Sequence, residues 1–321
     1  MKLEEIGFYT LSNNRALNTG INSKLMRCEL ILTDRCNFRC PYCRGLRSDC
    51  RGDMPIETAK LVLSYWIQEG LQNVRFTGGE PTLYRGLPDL IKQCENGNVN
   101  RIAISTNGSA SRSKYVELLE CGVNDFSISL DGCCSAIGDV MSGGIGGAWE
   151  KVVNNIRWLS RFSYVTVGMV FNEDNVDQAV ESVKFADSLG VSDIRIVPSA
   201  QYNKALTNLL NLDKEILNKY PILKYRIDNI NNKKHVRGMQ KGDCAKCWLA
   251  LDDMAIAGQW HFPCIIHLRE GGDPIGKIGP NMRQERADWI KKHNAFNDSI
   301  CLKNCLDVCR DFNNVASKTH N

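Results

Sequence analysis

No run in this sequence approaches the roughly 18 to 20 consecutive apolar residues that span a bilayer. Residues 1–10 carry the acidic Glu4 and Glu5 and no apolar core of signal type. An excess of one charge is missing too. With 40 basic against 36 acidic residues the chain holds a net +4, without the concentrated positive face that duplex nucleic acid requires. There is no internal repeat. Length and composition exclude collagen, a coiled coil and a small disulfide scaffold, and 43% hydrophobic residues over 321 positions suffice for a sizeable core. These absences lead us to expect a cytoplasmic protein of two domains, or of one large domain with an appendage, with neither a membrane nor nucleic acid among its partners.

Cysteine is what the sequence has in abundance. Fifteen occur, at positions 28, 36, 40, 43, 50, 94, 121, 133, 134, 244, 247, 264, 301, 305 and 309. Disulfides are disfavoured in a reducing cytosol, and a chain this long does not need them for its core. Close-set cysteines here therefore point to metal.

Strand-like and helical patterns alternate. Apolar runs at 28–33, 74–77, 101–106, 125–130, 164–171 and 193–197 are separated by helical periodicity at 56–69, 87–94, 112–120, 149–161 and 176–189. In the first helix Leu61, Leu63 and Trp66 are among the apolar positions. Six strands each returning through a helix predict an α/β fold, a parallel sheet curved into a partial (β/α)6 barrel, with its chemistry at the carboxyl ends of the strands. After Ser199 the pattern breaks up in a polar, Asn- and Lys-rich stretch, 203–241. The expected division is an N-terminal extension over 1–27, the barrel over 28–234 and a cysteine-rich region over 235–321, with 318–321 a frayed tail.

The strongest chemical signal follows the first strand: Cys36-Asn37-Phe38-Arg39-Cys40-Pro41-Tyr42-Cys43. Three thiolates in one tight loop can hold three irons of a four-iron four-sulfur cluster and leave the fourth iron open to a ligand. A structural zinc ion closes its fourth position, and no histidine stands near enough in sequence to do so, since His235 and His261 lie far down the chain. The spacing favours the cluster over zinc.

This triplet, with an aromatic residue before its last cysteine, resembles the signature of the radical S-adenosylmethionine (SAM) enzymes. Phe76-Thr77-Gly78-Gly79-Glu80-Pro81, at the end of the second strand, is similar to the family's segment that binds the amino group of SAM. Glycines there would expose carbonyls and admit the ligand, and Glu80 would meet the ammonium. Ser105-Thr106-Asn107-Gly108 and Ser127-Ile128-Ser129-Leu130-Asp131-Gly132 are similar to the family's segments near the SAM carboxylate and ribose, although Asn-Gly and Asp-Gly also serve as plain turns. The resemblance spans about residues 28–198. It implies Cys36, Cys40 and Cys43 as cluster ligands, Tyr42 beside the adenine, Gly78, Gly79 and Glu80 on the amino group, and Ser105, Asn107, Ser129 and Asp131 along the rest of SAM. It also implies reductive cleavage to a 5'-deoxyadenosyl radical that abstracts hydrogen from a substrate, fed by an electron donor such as flavodoxin or ferredoxin.

A second cysteine group comprises Cys244, Cys247, Cys264, Cys301, Cys305 and Cys309. By spacing alone, zinc and a cluster stand equal. Behind such a barrel the region resembles the SPASM and twitch extensions of the superfamily, in which a Cys, a Gly and a Pro-Cys pair frame a hairpin. Cys247, Gly258 and Cys264 match, with one residue more than usual between the last two. The resemblance implies one auxiliary four-iron cluster, with two thiolates to spare. Cys244, Cys247 and Cys264 also resemble the three-cysteine site of the cyclase that begins molybdopterin synthesis. The C-terminal Lys318-Thr319-His320-Asn321 and the extra thiolates at 301, 305 and 309 depart from that pattern.

Cys28, Cys94 and Cys121 read as buried packing residues. Cys133 and Cys134, after the Asp131-Gly132 turn, are candidate hydrogen-atom donors to a substrate radical. The glycines of 143–147 form either an anion cradle at a helix start or a flexible loop. Arg195 is either a barrel-facing anion partner or a sheet-edge charge. For substrate, the roughly 27 residues before the first strand are few for a domain that grips a leader peptide, so a small polar metabolite, a sugar or aminocyclitol oxidised or epimerised, is the leading expectation. The alternatives are a radical maturase of a ribosomally made peptide, acting by crosslink, thioether or epimerisation, and a non-catalytic zinc or iron-sulfur protein.

Overall fold

The computed structural model describes residues 13–202, 204 and 206–320. The Glu4 and Glu5 segment, and with it the start of the expected N-terminal extension, lies outside the described residues, as does Asn321. Nine strands are defined among them: β1 (Arg27–Ile31), β2 (Asn73–Thr77), β3 (Arg101–Thr106), β4 (Asp125–Ser129), β5 (Tyr164–Phe171), β6 (Asp193–Pro198), β7 (Asp253–Ala257), β8 (Trp260–Phe262) and β9 (Gly276–Lys277). The chain divides into two compact units. One takes the described residues up to Arg35, then Arg44–Ala103 and everything from Arg237 on; the other takes Cys36–Cys43 and Ile104–Val236.

In the first unit the strand order is β2-β1-β7-β8-β9. β1 pairs in parallel with β2 on one side and with β7 on the other. Covered on both edges and both faces, all five of its residues are buried, as are all five of β7. The polar members of these strands survive burial by pairing: Arg27 donates to Glu29 at 3.2 Å and to Asp253 at 3.4 Å. Burial still pushes the Asp253 carboxyl up to about 6. β7 was not legible as a sheet strand. Its sequence Asp-Met-Ala-Ile-Ala turns at Gly258 (φ +57°) into the antiparallel β8, which gives the hairpin expected between Cys247 and Cys264.

Helix Ile56–Gln68 follows Pro55 and buries Ala59, Val62, Leu63 and Trp66, the i, i+3, i+4, i+7 stripe of an amphipathic helix. Leu61, expected among its apolar positions, stands 47% exposed, one position out of phase with that stripe. The C-terminal tail also departs from expectation. Instead of fraying, His320 stacks on Trp248 with ring centroids 3.9 Å apart and contacts the carbonyl of Thr19.

In the second unit β4, β5 and β6 pair in parallel, Asp125–Ser129 against Tyr164–Gly168 and Thr166–Phe171 against Asp193–Pro198. β3 is divided between the units at Ala103. Helices Arg112–Glu120, Ala148–Leu159 and Ala179–Ser188 follow β3, β4 and β5, and the last is entered through a 3-10 turn at Val176–Gln178. The polar stretch after Ser199 holds two further helices, Lys214–Lys219 and Pro221–Asn231, that its Asn and Lys content hid. Ile222, Leu223, Ile227 and Ile230 give the second a buried face, and Asp193 accepts its Ile222 N–H at 3.3 Å. Cys28, Cys94 and Cys121 are buried, as expected of packing residues. Among the described residues no helix is long and apolar enough to cross a membrane.

Candidate functional site

The three-cysteine loop belongs to the second unit, where four separate contacts fix its backbone. Asn37 donates to Ser109 Oγ at 2.8 Å and accepts from Asn107 Nδ2 at 2.8 Å; the Arg39 N–H reaches the Ser142 carbonyl at 2.9 Å; Tyr42 donates to Asp131 Oδ2 at 2.5 Å. Gly143 (φ +98°) packs so closely on this loop that an added Cβ would lie 2.7 Å from the Arg39 carbonyl oxygen. Held this way, Cys36 and Cys43 are exposed and Cys40 is half-buried, with both of the other thiols within electrostatic reach of Cys40. The Phe38 N–H points at Cys36 Sγ at 3.4 Å, and Asn107 Nδ2 lies 3.9 Å from the same sulfur. Donors aimed at sulfur favour a thiolate, so the donor set fits an iron-sulfur cluster. Burial, seconded by Asp131, pushes the Cys40 thiol up to about 12, which leaves it a thiol until metal displaces its proton.

Both oxygens of the buried Asp131 are engaged within the protein. Oδ2 takes the Tyr42 hydroxyl and Oδ1 takes the Val170 N–H at 2.7 Å, while burial raises its carboxyl to about 6. Ser129 is exposed and Ser105 half-buried at the ends of their strands. Sequence reasoning passed over Asn37, Ser109 and Gly143, as well as Asn175, whose amide bridges the Asp131 and Val170 carbonyls at 2.8 and 2.9 Å. Only the Asn-x2-Asn spacing of 172 and 175, beyond a strand's carboxyl end, hinted at the last.

Cys133 and Cys134 stand half-buried after β4. Cys133 Sγ meets Gln178 Oε1 at 3.1 Å, and burial together with Cys134 raises its pKa. The 143–147 loop forms no anion cradle, because Asp139 already accepts the N–H groups of Gly147 and Trp149 at 2.9 and 2.8 Å. A carboxylate filling that helix start repels a second anion. Arg195 is half-buried on β6 in register with Gly168, and a Cβ on that glycine would lie 3.4 Å from its guanidinium.

The Gly78-Gly79-Glu80 segment belongs to the first unit, where backbone approach accounts for its glycines. A Cβ on Gly78 would lie 2.3 Å from the Thr33 carbonyl oxygen, and one on Gly79 would lie 2.2 Å from that of Arg35. The Gly79 and Glu80 N–H groups donate to those same carbonyls at 2.7 and 2.8 Å. The Gly78 carbonyl, expected to face a ligand, instead accepts from Arg269 at 2.7 Å. Glu80 is fully buried and accepts from Thr82 Oγ1 at 2.6 Å and Thr82 N at 3.1 Å. At the carboxyl ends of β1 and β7 lies a polar cavity of about 300 Å³, its lining including Asp49, Arg51, Asp53, Gln259 and Trp260.

The C-terminal cysteines also lie in the first unit. Cys247, Cys264 and Cys309 form one electrostatically linked group, with Cys301 linked to Cys247 and Cys264, and Cys305 to Cys309, Cys247 and Cys301. Burial pushes Cys247 up to about 12 and raises Cys264 and Cys301 further. N–H donors again point at sulfur, His267 N to Cys264 at 3.4 Å and Asn313 Nδ2 to Cys247 at 3.9 Å. Core packing does not gather so many thiols. A set this dense has the chemistry of a cluster or a zinc centre.

Comparison with known proteins agrees with this chemistry. Residues 30–186 match the model of the Radical SAM superfamily. A GTP 3',8-cyclase of Pelotomaculum thermopropionicum is 34% identical over 128 residues, 38% of this chain and 39% of the relative. A PqqA peptide cyclase of Rhodopseudomonas palustris is 29% identical over 182 residues, 56% of this chain and 48% of the relative. The chain thus spans about half or less of the length of these curated relatives. In fold it is similar to Streptococcus suis SuiB bound to S-adenosylmethionine, with 16% identity, a TM-score of 0.58, and 83% of this chain and 64% of that chain covered. It is similar also to anSMEcpe with bound AdoMet and Cp18Cys peptide, with 14% identity, a TM-score of 0.59, and 92% and 94% covered. The fold is the α/β fold of these enzymes, with a parallel-dominated sheet, and the superfamily of the matched domain uses a four-iron four-sulfur cluster and SAM. By its motifs and its matched segment, the chain carries a radical SAM domain over residues 30–186.

Proposed function

We propose that this chain modifies a ribosomally made peptide, abstracting hydrogen from one of its residues on the way to a crosslink, a thioether or an epimerised centre. The observation that carries the reading is the joint presence of the anchored three-cysteine loop and a second nest of thiols in a chain whose similarity to a PqqA peptide cyclase runs over 56% of its length. The likeness in fold to SuiB bound to its precursor peptide SuiA supports it. This reading replaces the small polar metabolite as the leading one.

When bound, the cluster and SAM supply a 5'-deoxyadenosyl radical, and the rest falls to the protein's own residues. Cys36, Cys40 and Cys43 hold the cluster, with Phe38 N–H and Asn107 turned toward Cys36. Ser105, Asn107 and Ser129 serve the carboxylate and ribose of SAM and Tyr42 its adenine, with Asp131 fixing the Tyr42 ring. Cys247, Cys264 and Cys309, with either Cys244 or Cys305, hold an auxiliary four-iron cluster. The polar cavity beside β1 and β7 takes a side chain of the peptide. Where the outcome is epimerisation, Cys133 or Cys134 gives its S–H hydrogen atom to the substrate radical and is left as a thiyl radical, which one electron from the flavodoxin or ferredoxin and a solvent proton return to the thiol. A flavodoxin or ferredoxin in a reducing cytoplasm supplies electrons.

The relatives named GTP 3',8-cyclase favour a second reading, a small polar substrate such as a nucleotide or sugar derivative, oxidised or epimerised. Co-expression with each short open reading frame that flanks its gene separates the two. Under the peptide reading, mass spectrometry finds a peptide lighter by two hydrogens, or one that takes up deuterium from heavy water. Unaltered peptides, together with turnover of GTP or a sugar nucleotide by the reduced enzyme, would establish the second reading instead. Cys133→Ser distinguishes the outcomes within the first reading, since it stalls an epimerase and leaves a crosslinking enzyme at full rate.

A further inference from the structure

We propose that His293, Asp298 and Cys301 form a separate site for a single divalent ion of the zinc class. One ligand atom from each lies within 4.8 Å of the others, all three residues are half-buried, and Cys301 Sγ to His293 Nε2 is 3.8 Å. In a tetrahedral zinc site, metal distances of about 2.3 Å to sulfur and about 2.05 Å to nitrogen put those two ligand atoms about 3.6 Å apart, so this pair already stands at the required spacing. Nitrogen, oxygen and sulfur together make the borderline donor set that suits zinc.

The surroundings are those of a supported site. Asp298 Oδ1 accepts the N–H groups of Ile300 and Cys301, each at 2.9 Å, so the carboxylate and the thiol ride on the first turn of one helix, Ser299–Asn304. Asp298 Oδ2 meets His267 Nε2 at 3.1 Å, an outer histidine that orients the carboxylate. The His293 ring is stacked on Trp289, centroids 4.0 Å apart and planes 16° from parallel, which holds its Nε2 toward the sulfur. A second reason comes from arithmetic. Cys247, Cys264, Cys301, Cys305 and Cys309 are joined in one chain of electrostatic contacts, Cys244 adds a sixth thiol, and a four-iron cluster takes four. Cys301 is the member with a histidine and a carboxylate at hand. Only in this count does the site rest on the auxiliary-cluster reading.

The test uses the full chain reconstituted anaerobically with iron and sulfide, then given one equivalent of zinc and freed of excess. We expect one zinc per chain beside about eight irons. The zinc X-ray absorption edge should report one sulfur at about 2.3 Å and two or more light atoms near 2.0 Å. His293→Ala and His293→Gln should each weaken zinc binding at least tenfold and leave the iron count unchanged. Asp298→Asn, which can still cap the helix, should do the same. Cys301→Ser should remove the sulfur shell and keep the iron. The site is refuted if a fully iron-loaded chain retains no zinc, if the zinc is ringed by three or four sulfurs, if both His293 variants bind it as the native chain does, or if Cys301→Ser costs about four irons. An iron count near four with histidine-dependent zinc binding intact would remove the auxiliary cluster and leave this site standing.

Discussion

Tyr42 and Asp131, 89 residues apart in sequence, share a 2.5 Å hydrogen bond that ties the three-cysteine loop to the carboxyl end of β4. The hydroxyl is the donor the buried Asp131 Oδ2 needs, and burial, seconded by the Asp131 charge, raises the Tyr42 pKa well above that of an ordinary phenol. Tyr42→Phe keeps the ring and strands the carboxylate oxygen. We expect a loss of about 1–3 kcal/mol in urea unfolding, with faster loss of iron from the loaded protein. An unchanged unfolding midpoint and iron off-rate would show that the bond anchors nothing.

Gly143 and Gly144 offer an internal control for the packing of the same loop. Both have positive φ, +98° and +79°, but a Cβ on Gly143 would meet the Arg39 carbonyl oxygen at 2.7 Å, whereas one on Gly144 has nothing within 4 Å. Gly144→Ala should cost about 1 kcal/mol of backbone strain and load iron normally. Gly143→Ala should cost more and load less, because Arg39 and its neighbours Cys36, Cys40 and Cys43 must shift. Equal iron content in the two variants would contradict this view of the loop.

Asp193 sets a pH dependence. Burial raises its carboxyl from 3.8 to about 7, despite the N–H groups of Ile194 and Ile222 that it accepts. The folded chain therefore keeps a proton that the unfolded chain has lost between about pH 4 and pH 7. The contribution of this group to stability is full below that window, falls as pH rises through it, and is flat above. The whole drop is at most roughly 4 kcal/mol. Asp193→Asn should flatten the slope, so that the stability of the variant relative to the native chain rises from pH 5 to pH 7. Parallel curves would mean that Asp193 titrates as an exposed carboxylate does.

The strands of the barrel were legible because each is a short apolar run closed by a turn signal. β3 and β5 fall on the residues expected from the pattern, 101–106 and 164–171. β7 was hidden because Asp-Met-Ala-Ile-Ala carries neither alternation nor β-branched enrichment, and its place beside β1 is fixed by burial on all sides. The Cys36, Cys40 and Cys43 spacing announced itself, since three ligands in one loop are local. What holds that loop was not legible. Asn37 reaches Ser109, and Arg39 reaches Ser142, through contacts that only the closed fold creates. The glycines of 78–79 were read as room for a ligand, whereas the carbonyls of Thr33 and Arg35 come close enough to require them.

The account turns on whether the loop of Cys36, Cys40 and Cys43 works as the site of SAM cleavage. The direct measurement is 5'-deoxyadenosine formed from SAM by the anaerobically reconstituted and reduced chain, set beside the Cys40→Ala variant with its iron counted. We expect the native chain to release 5'-deoxyadenosine and methionine, and the variant to release neither while it lacks about four irons. A native chain that leaves SAM intact, or a variant that cleaves it as fast, would contradict the assignment.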